Sequence, residues 1–289
     1  MHSVPVPAGA GIAMVGTTLA LWPWWHGRVD GAHLVLLASF VGLGALSWID
    51  DRRQLPVAIR LGAQALVVAL CLAALPSDAR AMQVGPLILE RFLLGLAWLW
   101  FINLFNFMDG IDGLAGSETI AVALGYLALL TYAGLADPFW RLALVIAASA
   151  AGYLFWNWHP ARVFMGDAGS IPLGFLVGWL MLDLALRGQW AAGLILPLYF
   201  VADATFTLFA RAYRGEKLWQ AHRQHFYQRA VLGGATPARV VCRVGAANVM
   251  LVVLALVSVS HPVPALIAAV AIVAGLLGHL ESLARRPAS

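Results

Sequence analysis

Three strings hold most of the side chains in this sequence that could do chemistry. They are Trp48-Ile-Asp-Asp-Arg-Arg53, Asn103-Leu-Phe-Asn-Phe-Met-Asp-Gly-Ile-Asp-Gly-Leu-Ala115 and Asn157-Trp-His-Pro-Ala-Arg-Val-Phe-Met-Gly-Asp-Ala-Gly-Ser170. A fourth, Ala221-His-Arg-Gln-His-Phe-Tyr-Gln-Arg229, adds two histidines and two arginines. Carboxylates suit a hard cation such as Mg²⁺, which takes one or two of them and fills its other positions with water and substrate phosphate. Arg and His facing them can hold the remaining phosphate charge. If Asp50, Asp51, Asp109, Asp112 and Asp167 meet, the chemistry is that of a divalent cation on a phosphorylated substrate.

Taken singly, each string has a plainer reading. An Asp at the mouth of a helix is most often a solvated cap, and His222 and His225 could be interfacial side chains. Adjacent like charges at Asp50 and Asp51 repel unless a cation or a proton relieves them. Asn103, Asn106, Asp109 and Asp112 recur at steps of three and so lie roughly along one helical stripe. Facing lipid, such a stripe would be costly. Gly110 and Gly113 either open the backbone there or end the helix. The glycines around Asp167 suit a tight turn or the close approach of a ligand. The order and common sidedness of the strings carry more weight than any one of them.

The elements that must position these residues follow from composition. The chain has 289 residues, 62% hydrophobic and only 11% charged, against roughly 45–50% and 25% in a soluble domain. That excludes an ordinary soluble protein and a disordered chain, and the continuous apolar runs argue against a porin-type barrel. An all-α polytopic membrane protein is left. Runs long enough for the hydrocarbon core fall near 8–25, 33–49, 57–75, 86–106, 114–135, 140–157, 169–186, 189–210, 239–258 and 262–280, about ten spans. They form a single domain over 1–289, with one long polar link at 211–238. Arg52, Arg53, Arg162, Arg211, Arg214, Lys217, Arg223, Arg229, Arg239, Arg243, Arg285 and Arg286 then share one face, which the positive-inside rule makes cytoplasmic, with both termini inside. All five aspartates land on that face. Asp203 lies within a span, eight residues before Arg211, and reads as that buried charge's partner. Trp22, Trp98, Trp100, Trp156 and Trp158 read as interfacial anchors. Cys71 and Cys242 suggest neither a disulfide framework nor a metal knuckle, and nothing in the charge suggests nucleic acid.

With these strings in hand, the chain resembles the polyprenyl-phosphate N-acetylhexosamine-1-phosphate transferase superfamily of glycosyltransferase family 4 type. The resemblance runs through the Asp50-Asp51 pair, the strings 103–115 and 157–170, and the His-bearing loop. It implies a Mg²⁺-dependent enzyme (Mn²⁺ as a substitute) of the bacterial inner membrane, working at its cytoplasmic face. The substrates it implies are a UDP-sugar donor and undecaprenyl phosphate, with a homodimer allowed for. It implies Asp167 and Asn106 as metal ligands, and Asp50, Asp51 and Asp167 as the catalytic carboxylates. Asn103, Asp109, Asp112, Asn157, His222, Arg223 and His225 are implied in substrate binding, the last three in a loop closing over the sugar nucleotide.

The loop lacks the His-His-His run of the peptidoglycan enzyme. The chain looks more like the short members that start O-antigen or related surface polysaccharides from UDP-linked N-acetylhexosamines or N-acetylated 6-deoxyhexosamines. Its opening, Ser3-Val-Pro-Val-Pro-Ala-Gly-Ala-Gly11, resembles a cytoplasmic segment of the family that a helix normally precedes. The expectation is that this first family helix is missing here. Two rivals differ in class. An intramembrane prenyltransferase could use Asn106, Asp109 and Asp112 on a prenyl diphosphate, but needs a second Asp-rich helix. A transporter should carry its ionisable groups near mid-membrane, where only Asp203 qualifies.

Overall fold

The computed structural model describes residues 6–22, 31–81, 85–135, 139–220 and 222–285. Residues 1–5, the start of the N-terminal segment singled out above, lie outside these. Twelve helices follow in order among the described residues: α1 (Ala10–Leu21), α2 (Gly31–Arg53), α3 (Val57–Ala73), α4 (Leu87–Met108), α5 (Leu114–Tyr132), α6 (Trp140–Asn157), α7 (Asp167–Leu186), α8 (Trp190–Ile195), α9 (Leu198–Tyr213), α10 (Phe226–Leu232), α11 (Pro237–Val257) and α12 (Pro262–Ala284). The protein is an all-α polytopic membrane protein. Six of these helices are long and apolar enough to cross a bilayer (α2, α4, α5, α7, α11 and α12), while α1 and α3 are apolar but shorter.

Among the described residues each predicted apolar run is helical over most of its length, with one difference. The run at 189–210 is two helices, α8 and α9, parted at Leu196–Pro197. Proline has no N–H for the helix ladder and its ring crowds the preceding turn. The link 211–238 is also not wholly irregular, since it contains α10.

The bundle is built around α7, in which every residue from Ala168 to Leu184 is buried. In lipid there is no hydrophobic force between helices, so close packing must come from small residues at the crossings. Gly174 and Gly178, four apart on α7, supply one such crossing. Phe105 of α4 lies over Gly174 and Trp98 over Gly178. The Trp98 indole N–H donates to the Phe175 carbonyl at 3.0 Å, and its ring stacks on Phe175. Trp98 is therefore a packing residue of the core, not the interfacial anchor expected from its position in the run. A second crossing puts Gly11 of α1 against Gly169 of α7, backbone to backbone.

The N-terminal segment adds a short parallel pairing. Ala8 bridges Phe164, and Gly9, Ala10 and Gly11 donate to the carbonyls of Phe164 and Met165 at 3.0–3.2 Å. This pins the entry to α1 beside the entry to α7. The ends of α2, α4, α6 and α9 and the starts of α3, α5 and α7 gather at this same end of the bundle.

A methyl group on Gly11 would fall on the backbone of Gly169, so Gly11→Ala must push α1 and α7 apart. The expected cost is about 1–3 kcal/mol, the usual range for overpacking a tight contact, read as a lowered melting temperature in detergent. Gly16→Ala on the same helix meets nothing within 4 Å and should leave melting unchanged. Equal melting of the two variants would contradict the crossing.

Candidate functional site

The site begins with the first turn of α7. Gly166 precedes it at φ +68, ψ −179, a conformation that only glycine adopts without strain. The turn aims the first N–H groups of α7 at the end of α2. There Asp51 accepts from the Asp167 N–H and the Ala168 N–H, each at 3.1 Å. A carboxylate here satisfies donors that the helix cannot satisfy itself and meets the positive end of its dipole. Asp51, expected as a catalytic carboxylate, thus has a cap of α7 as its immediate task.

Asp50 turns the other way. It is buried, accepts from the Leu55 N–H at 2.6 Å and pairs with Arg60 of α3 at 2.9 Å. The same Arg60 guanidinium lies 3.5 Å from Asp167. The adjacent carboxylates are relieved by partners in different directions. Arg60 stands ten residues after Asp50, and the turn between α2 and α3 is what folds it back onto the acidic string; a cation within an apolar run is itself a functional signal.

Asn106 of α4 completes the contact. Its amide donates to Asp167 at 2.8 Å and to the Ser170 hydroxyl at 2.7 Å. Three of the sequence strings therefore meet within hydrogen-bond distance around Asp167. Among the described residues, no three His, Cys, Asp or Glu side chains close on one point as a protein-only metal cage. Asp167 offers carboxylate oxygens of the kind that Mg²⁺ supplements with phosphate and water, and the Asn106 amide here presents its N–H to that carboxylate.

The expected polar stripe is shorter than its spacing suggested. α4 ends at Met108, and Asp109 has already left the helix (φ −83, ψ 48). Gly113, at φ +80, turns the chain into α5. Only Asn103 and Asn106 remain on the helix. Asn103 donates to Gln64 of α3 at 2.7 Å. Asp109 is half-buried near Asp167, and desolvation, then that charge, push its pKa well above the ordinary carboxylate range. Asp112 is buried, accepts from the Ala161 N–H at 3.0 Å and meets His159 at 2.7 Å. Asn157 is buried as well, accepting from the Gly113 N–H and donating to the Val163 carbonyl. Asp112 and Asn157 thus lock the two long strings to each other, and their hydrogen bonds run to protein groups.

The fourth string reaches the site through α10. The Tyr227 hydroxyl donates to the Phe107 carbonyl at 2.9 Å and occupies the space where any side chain at Gly110 would stand. The first turn of α10 is held by Asp203, which accepts from the Phe226 N–H, the Tyr227 N–H and the Tyr199 hydroxyl and faces His225 Nδ1 at 3.2 Å. This corrects the expected Asp203–Arg211 pairing. Eight residues are about 12 Å along a helix, and Arg211 bonds Glu216 instead. His225 is buried in this footing. His222 is half-buried beside it, with ring centroids 4.8 Å apart. Burial first, then the His225 and Arg211 charges, lower its pKa to about 4. Arg223 is exposed.

An apolar cavity of about 370 Å³ opens beside the cluster, and Asp50, Arg60 and Asp167 form its polar end. Leu43 and Leu46 of α2, Leu61 of α3, and Leu96, Leu99 and Trp100 of α4 line its length. Leu61, Leu96 and Trp100 are themselves exposed, so the cavity is a groove open on the bundle's side.

Residues 33–185 match the family described as Glycosyl transferase family 4, and the chain belongs to that family. Among similar curated proteins is the Probable undecaprenyl-phosphate N-acetylglucosaminyl 1-phosphate transferase of Bacillus subtilis (strain 168), 30% identical over 201 residues, 65% of this chain and 55% of that one. The Phospho-N-acetylmuramoyl-pentapeptide-transferase of Thermosynechococcus vestitus (strain NIES-2133 / IAM M-273 / BP-1) is 30% identical over 265 residues, 82% of this chain and 66% of that one. The protein of the same name from Mycobacterium sp. (strain JLS) is 31% identical over 248 residues, 71% and 68% of the two chains. The chain thus spans between about half and two thirds of the length of these relatives.

Two predictions follow from the loop's footing. Asp203→Ala leaves two buried N–H groups without an acceptor, about 1–3 kcal/mol each. Amide hydrogen exchange at 226 and 227 should rise sharply while α7 stays protected; unchanged exchange would contradict the cap. With its pKa lowered to about 4, His222 is neutral at pH 6, and protonation, which opposes this fold, comes as pH falls towards 4. Nitrogen NMR of labelled histidine should show a neutral His222 ring at pH 6, and a charged ring there would contradict the burial.

Proposed function

We propose that the protein transfers the sugar 1-phosphate of a UDP-linked N-acetylhexosamine, or of an N-acetylated 6-deoxyhexosamine, to undecaprenyl phosphate. The products are undecaprenyl-diphospho-sugar and UMP. The reaction takes place at the cytoplasmic face of the bacterial inner membrane and begins O-antigen or a related surface polysaccharide. The observation that carries this reading is the join between two unlike environments: a carboxylate–arginine cluster forms the polar end of a lipid-sized apolar groove. The names of the relatives, one an undecaprenyl-phosphate N-acetylglucosaminyl 1-phosphate transferase, support the same class of reaction.

An oxygen of the lipid phosphate attacks the sugar-bearing phosphorus of the donor. One phosphoanhydride forms as another breaks, and UMP leaves with the electron pair of the broken bond. The lipid phosphate has a second pKa near 6 and is already largely dianionic at neutral pH. It therefore needs orientation more than a base. Arg60, held between Asp50 and Asp167, is suited to receive it at the groove's end. Asp50 then acts by aiming Arg60, and Asp51 by fixing the first turn of α7. On the donor side, exposed Arg223 offers charge to the diphosphate, while neutral His222 offers a hydrogen bond. Asp167 and Asn106 would hold Mg²⁺, or Mn²⁺, whose charge offsets the repulsion between two anionic reactants and stabilises the leaving UMP.

Incubation with labelled UDP-N-acetylhexoses and undecaprenyl phosphate tests the reading directly. A labelled lipid with release of UMP is expected. Product formed only from a prenyl diphosphate would favour a prenyltransferase, and uptake of solute without any lipid product a transporter. Asp167→Ala should abolish transfer, and Asp167→Asn should lower it at least about 100-fold, as for loss of an electrostatic stabiliser. Near-normal, metal-dependent turnover in either variant would refute the role given to Asp167.

A further inference from the structure

One wall of the apolar groove has no part in the chemistry just described. Besides α2, α3 and α4, the groove is lined by Leu208 of α9 and by Leu218 and Trp219, which belong to the link between α9 and α10. Residues 216–218 of that link are held by hydrogen bonds. Arg211, itself buried, donates to Glu216 at 2.8 Å and to the carbonyls of Lys217 at 2.8 Å and Leu218 at 3.4 Å. Glu216 also accepts from Arg214 at 2.7 Å and Gln224 at 2.8 Å. A buried guanidinium thus spends its donors on the backbone that presents Leu218 and Trp219. These hydrogen bonds to charged groups are stronger than neutral ones.

What the clamp presents is apolar. Leu218 is half-buried, and Trp219 is 66% exposed although it lines the groove. An indole has a large apolar face, suited to pack against an apolar chain that lies in the channel it lines. The link leaves α9 at the end that carries the site, so its side chains meet the part of an occupant nearest the phosphate. Phe107 and Leu96, both on the groove wall, are about 16 Å apart along α4. The groove therefore admits several further units of a chain beyond that point.

We infer that Leu218 and Trp219, held by the Arg211–Glu216 clamp, form a strap against which the isoprene units nearest the phosphate pack. The strap sets affinity for the isoprenoid part of the acceptor and leaves affinity for the sugar nucleotide alone. This inference rests on the transferase reading and adds to it a residue that selects the acceptor.

The full chain in lipid nanodiscs, with undecaprenyl phosphate and a UDP-N-acetylhexose varied separately, tests it. Trp219→Ala should raise KM for undecaprenyl phosphate about tenfold, as for loss of a buried aromatic anchor. Trp219→Phe should restore most of that loss, and KM for the UDP-sugar should stay within about twofold in both. An unchanged acceptor KM in Trp219→Ala, or a shift confined to the donor, would overturn the strap. If the wild-type chain makes no lipid product, the transferase reading fails, and direct binding of labelled undecaprenyl phosphate to nanodiscs still decides the strap. Weaker binding by Trp219→Ala than by wild type supports it, and equal binding overturns it.

Discussion

A carboxylate of α2 capping the first turn of α7 is the constraint on which the site depends. The first N–H groups of α7 have no partner within the helix and lie at its positive end, where a carboxylate is favoured. Asp51 supplies two of the acceptors. Meeting that demand fixes the end of α2 beside the start of α7, and hence Asp50 beside Asp167. Gly166 makes the geometry possible, since a side chain there would press on the Asp51 carboxylate.

The electrostatics follow from this placement. Three aspartates brought together in a small volume would expel one another, and the fold answers with one guanidinium and several dipoles. Arg60 takes Asp50 and approaches Asp167, the helix start takes Asp51, and the Asn106 amide takes Asp167. Negative charge is thereby balanced yet left accessible at the mouth of an apolar groove. That combination is what a water-soluble anion and a lipid-borne anion need in order to meet. The far side of the site is braced by a second carboxylate with a similar task. Asp203 caps α10 as Asp51 caps α7, and Tyr227 then locks α10 onto the turn at Gly110.

Much of this was legible in the sequence, because apolar runs and local strings are local signals. The all-helical membrane architecture follows from run length alone, and the meeting of Asn106 with Asp167 was implied by the family resemblance. What was hidden depends on contacts between distant segments. Arg60 stands ten residues after Asp50, yet only the turn between α2 and α3 shows that they pair and that Asp167 joins them, and nothing near Asp203 shows that its acceptors serve residues 226 and 227 and not Arg211. Periodicity also overreached. Asn103, Asn106, Asp109 and Asp112 share a spacing, but Met108 ends the helix and Gly113 redirects the chain, so Asp112 serves the loop at 159–161. Likewise a tryptophan near the end of a run reads as an anchor, whereas Trp98 fills the crossing that Gly174 and Gly178 open.

On the proposed reading, Asp167, held by the Asp51-capped turn and by Asn106, would be where a divalent cation and a nucleotide diphosphate come together. Electron paramagnetic resonance of Mn²⁺ added to the full chain with UDP reads this directly. The account predicts a bound Mn²⁺ signal with wild type that broadens with ¹⁷O-labelled diphosphate and disappears in Asp167→Ala. Bound Mn²⁺ of equal stoichiometry in wild type and Asp167→Ala would contradict it.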